Sequence, residues 1–268
     1  MNKSINLNQN LIFKSVVLFP GIGTGFFYKL SKDGKTYYTI ITNNHVFELF
    51  KENTIIKFYL EINKGEFDPA ESKIKEIKER EICLPIKVND DKNNQFDLCM
   101  IILKNEFVMS NEVIKQNFII NNDKITDNTS MFQENIFPDL RMIGFPFADK
   151  HIPFMRSGTL SSPITVNNKL DGIFYGDIES IGGSSGSPVF AIIDNNFMLD
   201  KSKTVMFIGI NRGYRHIEHD VYEEGKEKEE YKLENGNHLR IKENSRLCVI
   251  ISSNQLKLFE KYIDDIKT

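Results

Sequence analysis

The sequence predicts an all-β fold on three observations. Short apolar segments rich in β-branched and aromatic residues recur along the chain, turn residues separate them, and helix signals are few. Strands at this density are typical of a barrel or a sandwich. The predicted strands are 15–19, 25–28, 37–42, 55–62, 98–103, 140–143, 189–193, 205–210 and 247–251.

The first three of these strands show the pattern clearly. Ser15 to Phe19 is almost wholly apolar, and Gly25 to Tyr28 follows it. Ser31-Lys32-Asp33-Gly34 then has the composition of a turn, and Tyr37 to Thr42 returns to an apolar, β-branched composition. These residues therefore predict successive strands joined by short polar turns.

Two segments carry helix signals. Ala70 to Arg80 contains charged helix formers, with Ile74 and Ile77 three residues apart, and this predicts a surface helix. Ser253-Asn254 is a capping sequence, and the residues Gln255 to Ile266 after it predict an amphipathic C-terminal helix.

Composition excludes several classes of function. The 268 residues contain 34 Lys and Arg against 37 Asp and Glu, a net charge of -3, so nothing favours nucleic acid or an anionic membrane as a partner. No apolar run is long enough to span a bilayer, and the first ten residues lack the apolar core of a secretory signal. Cys83, Cys99 and Cys248 are odd in number and far apart, which favours reduced thiols over a disulfide framework or a zinc site. We therefore expect a cytoplasmic protein without a metal or another cofactor.

The stretch Gly182 to Phe190, Gly-Gly-Ser-Ser-Gly-Ser-Pro-Val-Phe, is the strongest chemical signal in the chain. An acyl-transfer enzyme needs its nucleophile and its oxyanion donors in one tight turn. The stretch also satisfies the G-x-S-x-G pattern of a nucleophile elbow, with Ser184 as the nucleophile. That elbow leads into a helix, whereas Pro188 to Ile193 is a strand sequence. The sequence therefore favours Ser185.

Three further motifs resemble those of the chymotrypsin-like serine proteases. Gly23-Thr24-Gly25-Phe26 precedes Thr42-Asn43-Asn44-His45-Val46, Phe96-Asp97-Leu98 follows, and Ile143-Gly144-Phe145-Pro146 comes before Arg156-Ser157-Gly158. With the serine turn, all four stand in the order of that family and cover most of the chain. They are most similar to the disulfide-free bacterial branch that includes Deg/Htr and glutamyl-endopeptidase-like enzymes.

The resemblance implies an architecture for the whole chain. Residues 1–268 would form one trypsin-like unit of two six-stranded antiparallel β-barrels, 11–138 with His45 and Asp97 and 139–252 with Ser185. A C-terminal helix over 253–268 would follow, with no room for a PDZ domain.

The resemblance also implies a role for each site residue. Ser185 would be the nucleophile, His45 its general base, and Asp97 the carboxylate that holds the imidazole tautomer. The backbone N–H groups of Gly183 and Ser185 would form the oxyanion hole. Ser184 stands where digestive members have an aspartate that pairs with a freed N-terminus, so activation by N-terminal clipping is not expected.

Substrate-binding residues are also placed by the resemblance. Glu179 falls where trypsin-like members have the pocket floor, and an acidic floor would favour Lys or Arg before the scissile bond. Ile210, Asn211 and Arg212 resemble the pocket-wall strand, which would pair with substrate backbone. Asp177 and Glu179 could equally be loop residues, and Arg212 could neutralise either of them. The glutamate-cleaving branch has a histidine near Asn211, and its absence here argues against glutamate preference.

The predicted function is a serine endopeptidase that acts on a polypeptide substrate. An unrestrained cytoplasmic protease would cleave its host, so we expect few substrates or activation by a regulatory protein. The insertions Asn63 to Arg80, Asn105 to Asp139 and His216 to Ser245 are the predicted places for such contacts. The alternative is a catalytically silent trypsin-fold module that binds a peptide or partner.

Overall fold

A computed structural model describes the chain over nine ranges, and strands dominate them. The α-helices among these residues are seven residues or shorter: α1 Gln9–Ser15, α2 Asn44–Phe47, α3 Glu79–Ile82, α4 Asn105–Met109 and α5 Glu112–Lys115. The prediction of a mainly β protein is confirmed. Within the same ranges, no helix has the length and apolarity to cross a membrane. The described residues are 9–61, 73–89, 96–110, 112–122, 138–148, 152–162, 172–194, 203–220 and 240–263.

The first half of the chain forms an eight-stranded sheet. Its order is β5-β4-β1-β2-β3-β7-β6, and β8 lies parallel to β2 outside this path. Asp33 and Gly34, both at positive φ, make the predicted turn between β2 and β3. The strands are β1 Val16–Phe19, β2 Gly23–Lys32, β3 Lys35–Asn43, β4 Ile55–Glu61, β5 Lys73–Lys78, β6 Cys83–Asn89, β7 Leu98–Leu103 and β8 Ile120–Asn121.

The second half forms a closed six-stranded antiparallel barrel. Its order is β10-β11-β14-β13-β12-β9, and β9 pairs with β10 to close the ring. Closure leaves no strand without two neighbours, although β13 and β14 extend beyond the others as a long ribbon. The strands are β9 Asp139–Gly144, β10 Phe154–Leu160, β11 Ile173–Asp177, β12 Pro188–Asp194, β13 Lys203–Asp220 and β14 Arg240–Ser252.

The prediction of two closed barrels is confirmed for one of them. In the first sheet β5 and β6 are the two ends of the path, and α3 joins them without a ladder between them in the described residues. Pro85 lies within β6 and has no N–H to donate, a condition that a strand tolerates at a sheet edge. Next to it the pairing with β7 slips between Cys83 and Lys87.

The predicted helix over Ala70 to Arg80 is wrong where the structure describes it. Residues 73–78 form the edge strand β5, and only 79–82 are helical. In a strand, residues three apart point to opposite faces. Ile74 accordingly packs against one hydrophobic cluster and Ile77 against another, so each isoleucine is used, but not on a common helix face.

The C-terminal helix is a 3₁₀ helix over Ser253–Lys261. The hydroxyl of Ser252 accepts a hydrogen bond from the Asn254 N–H at 3.3 Å and caps it. Leu256 and Phe259 are buried, whereas Tyr262 is exposed. The predicted continuation to Ile266 lies outside the described residues.

One hydrophobic cluster joins the two halves of the molecule. It contains Phe26 of the first sheet together with Phe190 and Phe207 of the barrel. The rings of Phe26 and Phe207 are 5.4 Å apart, and those of Phe190 and Phe207 are 5.8 Å apart. Such aromatic contacts fix the sheet against the barrel. Side chains from the two halves can therefore meet at a defined site.

Candidate active site

His45 and Asp97 lie side by side at one end of the first sheet. His45 is on α2, directly after β3, and Asp97 directly precedes β7, which pairs with β3. The carbonyl of Asp97 accepts hydrogen bonds from the Asn44 N–H at 2.9 Å and from Asn43 Nδ2 at 3.1 Å. The backbone of the aspartate is thus tied to the residues that introduce the histidine.

The Asp97 carboxylate makes two hydrogen bonds to His45. Oδ1 accepts from the His45 backbone N–H at 2.9 Å, and Oδ2 lies 2.6 Å from Nδ1. Because an ionised carboxylate only accepts, Nδ1 carries a hydrogen, and in the neutral ring Nε2 is the acceptor. Asp97 holds this position with φ at 57°, a backbone conformation that non-glycine residues rarely adopt. Nε2 has no partner among the described residues, and the His45 side chain is 46% exposed.

Ser185 lies in a turn that is hydrogen-bonded to strand β2 of the first sheet. Thr24 Oγ1 donates to the Gly183 carbonyl at 2.8 Å, and the Thr24 N–H donates to the Ser185 carbonyl at 2.9 Å. A Cβ added at Gly23 would lie 3.4 Å from that same serine carbonyl and 3.0 Å from the Val46 side chain. Gly23 therefore leaves space for the serine turn near Val46, the residue after His45, and Thr24 holds the turn there.

The peptide between Gly182 and Gly183 is fixed by the loop after β9. The Phe147 N–H donates to the Gly182 carbonyl at 2.6 Å. Since the N–H and C=O of a trans peptide point in opposite directions, the Gly183 N–H faces away from Phe147. Gly183 has φ at 89°, and an added Cβ would come within 2.5 Å of the Ala148 nitrogen, so only glycine fits.

The next oriented peptide precedes Ser185. The Ser184 carbonyl accepts from Asn211 Nδ2 at 2.7 Å and from the Ser187 N–H at 3.1 Å, so the Ser185 N–H points away from both donors. Among the described residues, neither this N–H nor that of Gly183 donates a hydrogen bond. The turn thus presents two unpaired backbone donors, the groups that an oxyanion hole requires.

The Ser185 hydroxyl donates to the carbonyl of Arg212 at 3.4 Å. A contact of that length is weak, so little opposes rotation of the hydroxyl. Within the described part of the chain, no hydrogen bond joins Ser185 to His45. Arg212 instead connects Ser185 to Asp97, because its Nε lies 3.5 Å from Asp97 Oδ2.

An open pocket of about 440 Å³ lies beside the histidine and aspartate. Its described walls consist of His45 and Asp97, the cationic side chain of Arg212 and further residues of β13 and β14. The lining residues are His45, Asp97, Arg212, Gly213, Tyr214 and Val249.

The remaining predicted substrate-binding residues are not at this pocket. Ile210 is fully buried in the cluster that joins the two halves. The buried Asn211 side chain bonds to Ser180, to the Ser184 carbonyl, to the Gly213 N–H and to Cys248, so it anchors the serine turn. Glu179 is on the surface.

The carboxylate of Glu179 is paired rather than free. Arg156 of β10 lies 2.5 Å from it, and the Glu179 side chain is 57% exposed. The predicted role as the floor of a specificity pocket requires a shielded, unpaired carboxylate. The structure does not place Glu179 in such surroundings.

Two functional features were missed by sequence reasoning. The motif that contains Thr24 predicts no role for it, although Thr24 binds the serine turn through both its hydroxyl and its N–H. Asn211 was assigned to substrate rather than to the turn. The sequence does not reveal this role, because Ser180, Ser184 and Cys248 come close to Asn211 only in the folded barrel. No group of His, Cys, Asp and Glu in the described ranges is arranged to hold a metal ion.

Comparisons with known proteins give distant structural likenesses only. No protein-family model matches the chain, and no curated protein matches it. The chain is similar to the crystal structure of the inactive form of Rv3671c from M. tuberculosis H37Rv, a serine-to-alanine mutant. The TM-score is 0.47 and the identity 10%, over 100% of this chain and 98% of that one. It is also similar to the crystal structure of Deg5, with a TM-score of 0.42 and 17% identity over 77% of this chain and 84% of that one. Such values assign neither a family nor an activity.

Proposed function

We propose that this protein is a serine endopeptidase with His45, Asp97 and Ser185 as its catalytic residues. One arrangement carries the proposal. The buried Asp97 orients His45 by two bonds, and Arg212 contacts both that aspartate and the Ser185 hydroxyl. The serine turn itself has two unpaired N–H donors among the described residues. A base, its orienting carboxylate, a hydroxyl and oxyanion donors are the set that acyl transfer requires.

The proposed reaction begins with rotation of the Ser185 hydroxyl from the Arg212 carbonyl towards His45 Nε2. Nε2 takes the proton as Oγ forms a bond to the scissile carbonyl carbon, and the N–H groups of Gly183 and Ser185 stabilise the resulting oxyanion. Collapse breaks the C–N bond, and His45 returns the proton to the leaving amine. Water then adds to the acyl-enzyme by the same route and releases the acid and free Ser185.

The substrate would bind along the ribbon beyond Ile210. Strand β12 pairs with β13 only from Lys203 to Ile210, so later residues of β13 have no strand on that side in the described ranges. An extended peptide could add there as a further strand and bring its carbonyl to the serine turn. A Cβ built on Gly213 would meet nothing within 4 Å, which leaves room for this approach.

The alternative is a peptide-binding module without catalysis. It is favoured by one observation, the bond of the Ser185 hydroxyl to Arg212 rather than to His45. Bonds of catalytic groups are often long in the absence of substrate, so the observation weighs less than the paired histidine and aspartate.

Peptide hydrolysis tests the proposal. A proteome-derived peptide library, read by mass spectrometry, should be cleaved by the wild type and by Ser184→Ala but not by Ser185→Ala. Ser184 is the matched control because its hydroxyl makes no hydrogen bond with the described residues. Cleavage by Ser185→Ala equal to the wild type would contradict the proposal, and binding of peptides without cleavage would favour the alternative.

The proposed enzyme acts on few substrates or is switched on by a protein partner, and its proposed location is the cytoplasm. We expect purified protein to leave unfolded casein largely intact. Rapid, unassisted degradation of casein would overturn the proposed restriction, without affecting the catalytic assignment.

A further inference from the structure

We propose that the pocket beside His45 and Asp97 is a subsite for an acidic substrate side chain and that Arg212 selects it. The inference rests on the proposed function, since it names a side chain that the peptidase would prefer near its scissile bond. It differs from the basic preference that the sequence suggests through Glu179.

Arg212 touches both parts of the site with different atoms. Its carbonyl accepts the Ser185 hydroxyl at 3.4 Å, whereas its side chain turns to the pocket, where Nε lies 3.5 Å from Asp97 Oδ2. A substrate that pairs with β13 would therefore pass the guanidinium within a few residues of the bond to be cleaved.

The guanidinium keeps hydrogen-bonding capacity for a ligand. Asp97 already accepts two shorter bonds from His45, so the contact with Arg212 is the longest of the three. The two terminal nitrogens of Arg212 make no hydrogen bond or ion pair with any described residue, and its side chain is 41% exposed. These nitrogens form the planar fork that binds a carboxylate with two parallel bonds.

Charge at the pocket favours an acid over a base. Arg212 is the one lysine or arginine among the described lining residues, and the Asp97 side chain, 9% exposed, faces His45. A volume of about 440 Å³ has space for a glutamate side chain. A lysine in the same place would put its ammonium next to the guanidinium, and like charges repel.

Fluorogenic peptides test this preference directly. Each pair of peptides would carry Glu or Gln at one of the four positions before the scissile bond, with the rest unchanged. We expect kcat/KM for Glu to exceed that for Gln about tenfold at one position, as expected for hydrogen bonds to a charged group. Arg212→Gln should bring the ratio close to one, and Arg212→Lys should retain part of it.

Arg80→Gln is the matched control, because Arg80 is an exposed arginine on α3 in the first half of the molecule, off the strand along which the substrate would bind, and the substitution removes the same charge. It should leave the ratio unchanged. Taking a ratio cancels any general loss of activity that follows from the contact of Arg212 with Asp97.

The outcomes separate this inference from the proposed function. Hydrolysis that depends on Ser185 but shows a Glu to Gln ratio near one at all four positions would overturn the inference alone. If no fluorogenic peptide is cleaved, fluorescence anisotropy of the labelled peptides on Ser185→Ala decides the inference, while the peptide library decides the proposed function. Tighter binding of a Glu peptide that Arg212→Gln removes supports it, and equal binding of all peptides overturns it.

Discussion

The two parts of the proposed active site are held in place by different means. His45 is oriented by a side chain, because both oxygens of Asp97 bond to it. Ser185 is oriented by its backbone, because Thr24 and Asn211 hold carbonyls of the turn while the hydroxyl makes only one long bond. The first part should therefore be sensitive to removal of polar atoms, and the second to addition of carbon atoms.

We expect the largest loss of activity when a single polar atom of Asp97, which orients His45, is changed. Asp97→Asn preserves the shape of the side chain but places an N–H₂ group opposite His45, which favours the wrong tautomer. We expect kcat to fall by about 10⁴-fold, the size of effect known for this change in serine proteases. Steady-state kinetics on a fluorogenic peptide would measure it. A fall of less than tenfold in a folded variant would show that Asp97 does not orient the base.

Adding a methyl group at Gly183, in the serine turn, should lower kcat nearly as much. Gly183→Ala would bring its Cβ within 2.5 Å of the Ala148 nitrogen at a φ of 89°, so the peptide must turn and move its N–H. Loss of one oxyanion donor lowers kcat by about 10²- to 10³-fold.

Gly182→Ala is the matched control for this prediction. A Cβ at Gly182 would meet nothing within 4 Å, and we expect kcat to stay within about twofold of the wild type, since such surface changes cost little. Equal losses in the two variants would mean that the turn is generally intolerant rather than shaped around the Gly183 N–H.

Loss of an anchoring amide should lower stability more at the serine turn than at the end of a hairpin in the first sheet. Asn211→Ala leaves the buried Ser180 hydroxyl without its partner and removes the shorter of the two hydrogen bonds to the Ser184 carbonyl. We therefore expect the free energy of unfolding to fall by about 3 kcal/mol. Asn122→Ala removes a half-buried amide that bonds to Ser31 in the first sheet, and should cost about 1 kcal/mol. Urea denaturation measures both, and a reversed order would contradict the assigned anchoring role.

The smallest effect concerns two thiols, one in each half. Burial raises the pKa of both Cys83 and Cys248. Since the thiolate is the reactive form, alkylation by iodoacetamide at pH 8 should require local opening. Cys83 lies on the edge strand β6 and Cys248 in the closed barrel, so Cys83 should react faster. Peptide mapping gives the two rates, and faster reaction of Cys248 would show that closure does not protect the barrel.

The same pKa shifts predict the direction of a pH effect on stability. A thiol that stays neutral when folded stabilises the fold below its unfolded pKa, near 9, and this stabilisation is lost as the pH rises above that value. The free energy of unfolding should therefore fall between pH 8 and pH 10. The decrease should be smaller in Cys248→Ala, measured relative to its own value at pH 7.

Sequence reasoning predicted what local pattern determines. Nine of the fourteen described strands, the turn at Asp33 and Gly34 and the surroundings of His45 follow from short stretches of residues, whereas β5, β6, β8, β10 and β11 were not predicted. A sheet closes only if its two edge strands pair. Neither Pro85 nor the spacing of Ile74 and Ile77 indicates from the sequence whether β5 and β6 pair. The spacing of Ile74 and Ile77 predicts a helix that packs both on one face. In the strand that forms instead, both isoleucines are packed, but on opposite faces of the sheet.

Contacts between distant residues limited the prediction of the site. The motif order placed His45, Asp97 and Ser185 in one hypothesis, but the pairing of Arg212 with Asp97 and of Glu179 with Arg156 depends on where the barrel strands lie. The predicted specificity role of Glu179 could therefore not take its ion pair with Arg156 into account. The anchoring roles of Thr24 and Asn211 also appear only once the two halves are packed together.

Site mapping of a covalent label tests the central proposal most directly. A fluorophosphonate probe reacts with a serine hydroxyl only when a base and oxyanion donors activate it. Tandem mass spectrometry should locate the adduct on Ser185 in the wild type and in Ser184→Ala, and find none in Ser185→Ala. An adduct on another residue, or undiminished labelling of Ser185→Ala, would contradict the assignment of Ser185 as the nucleophile.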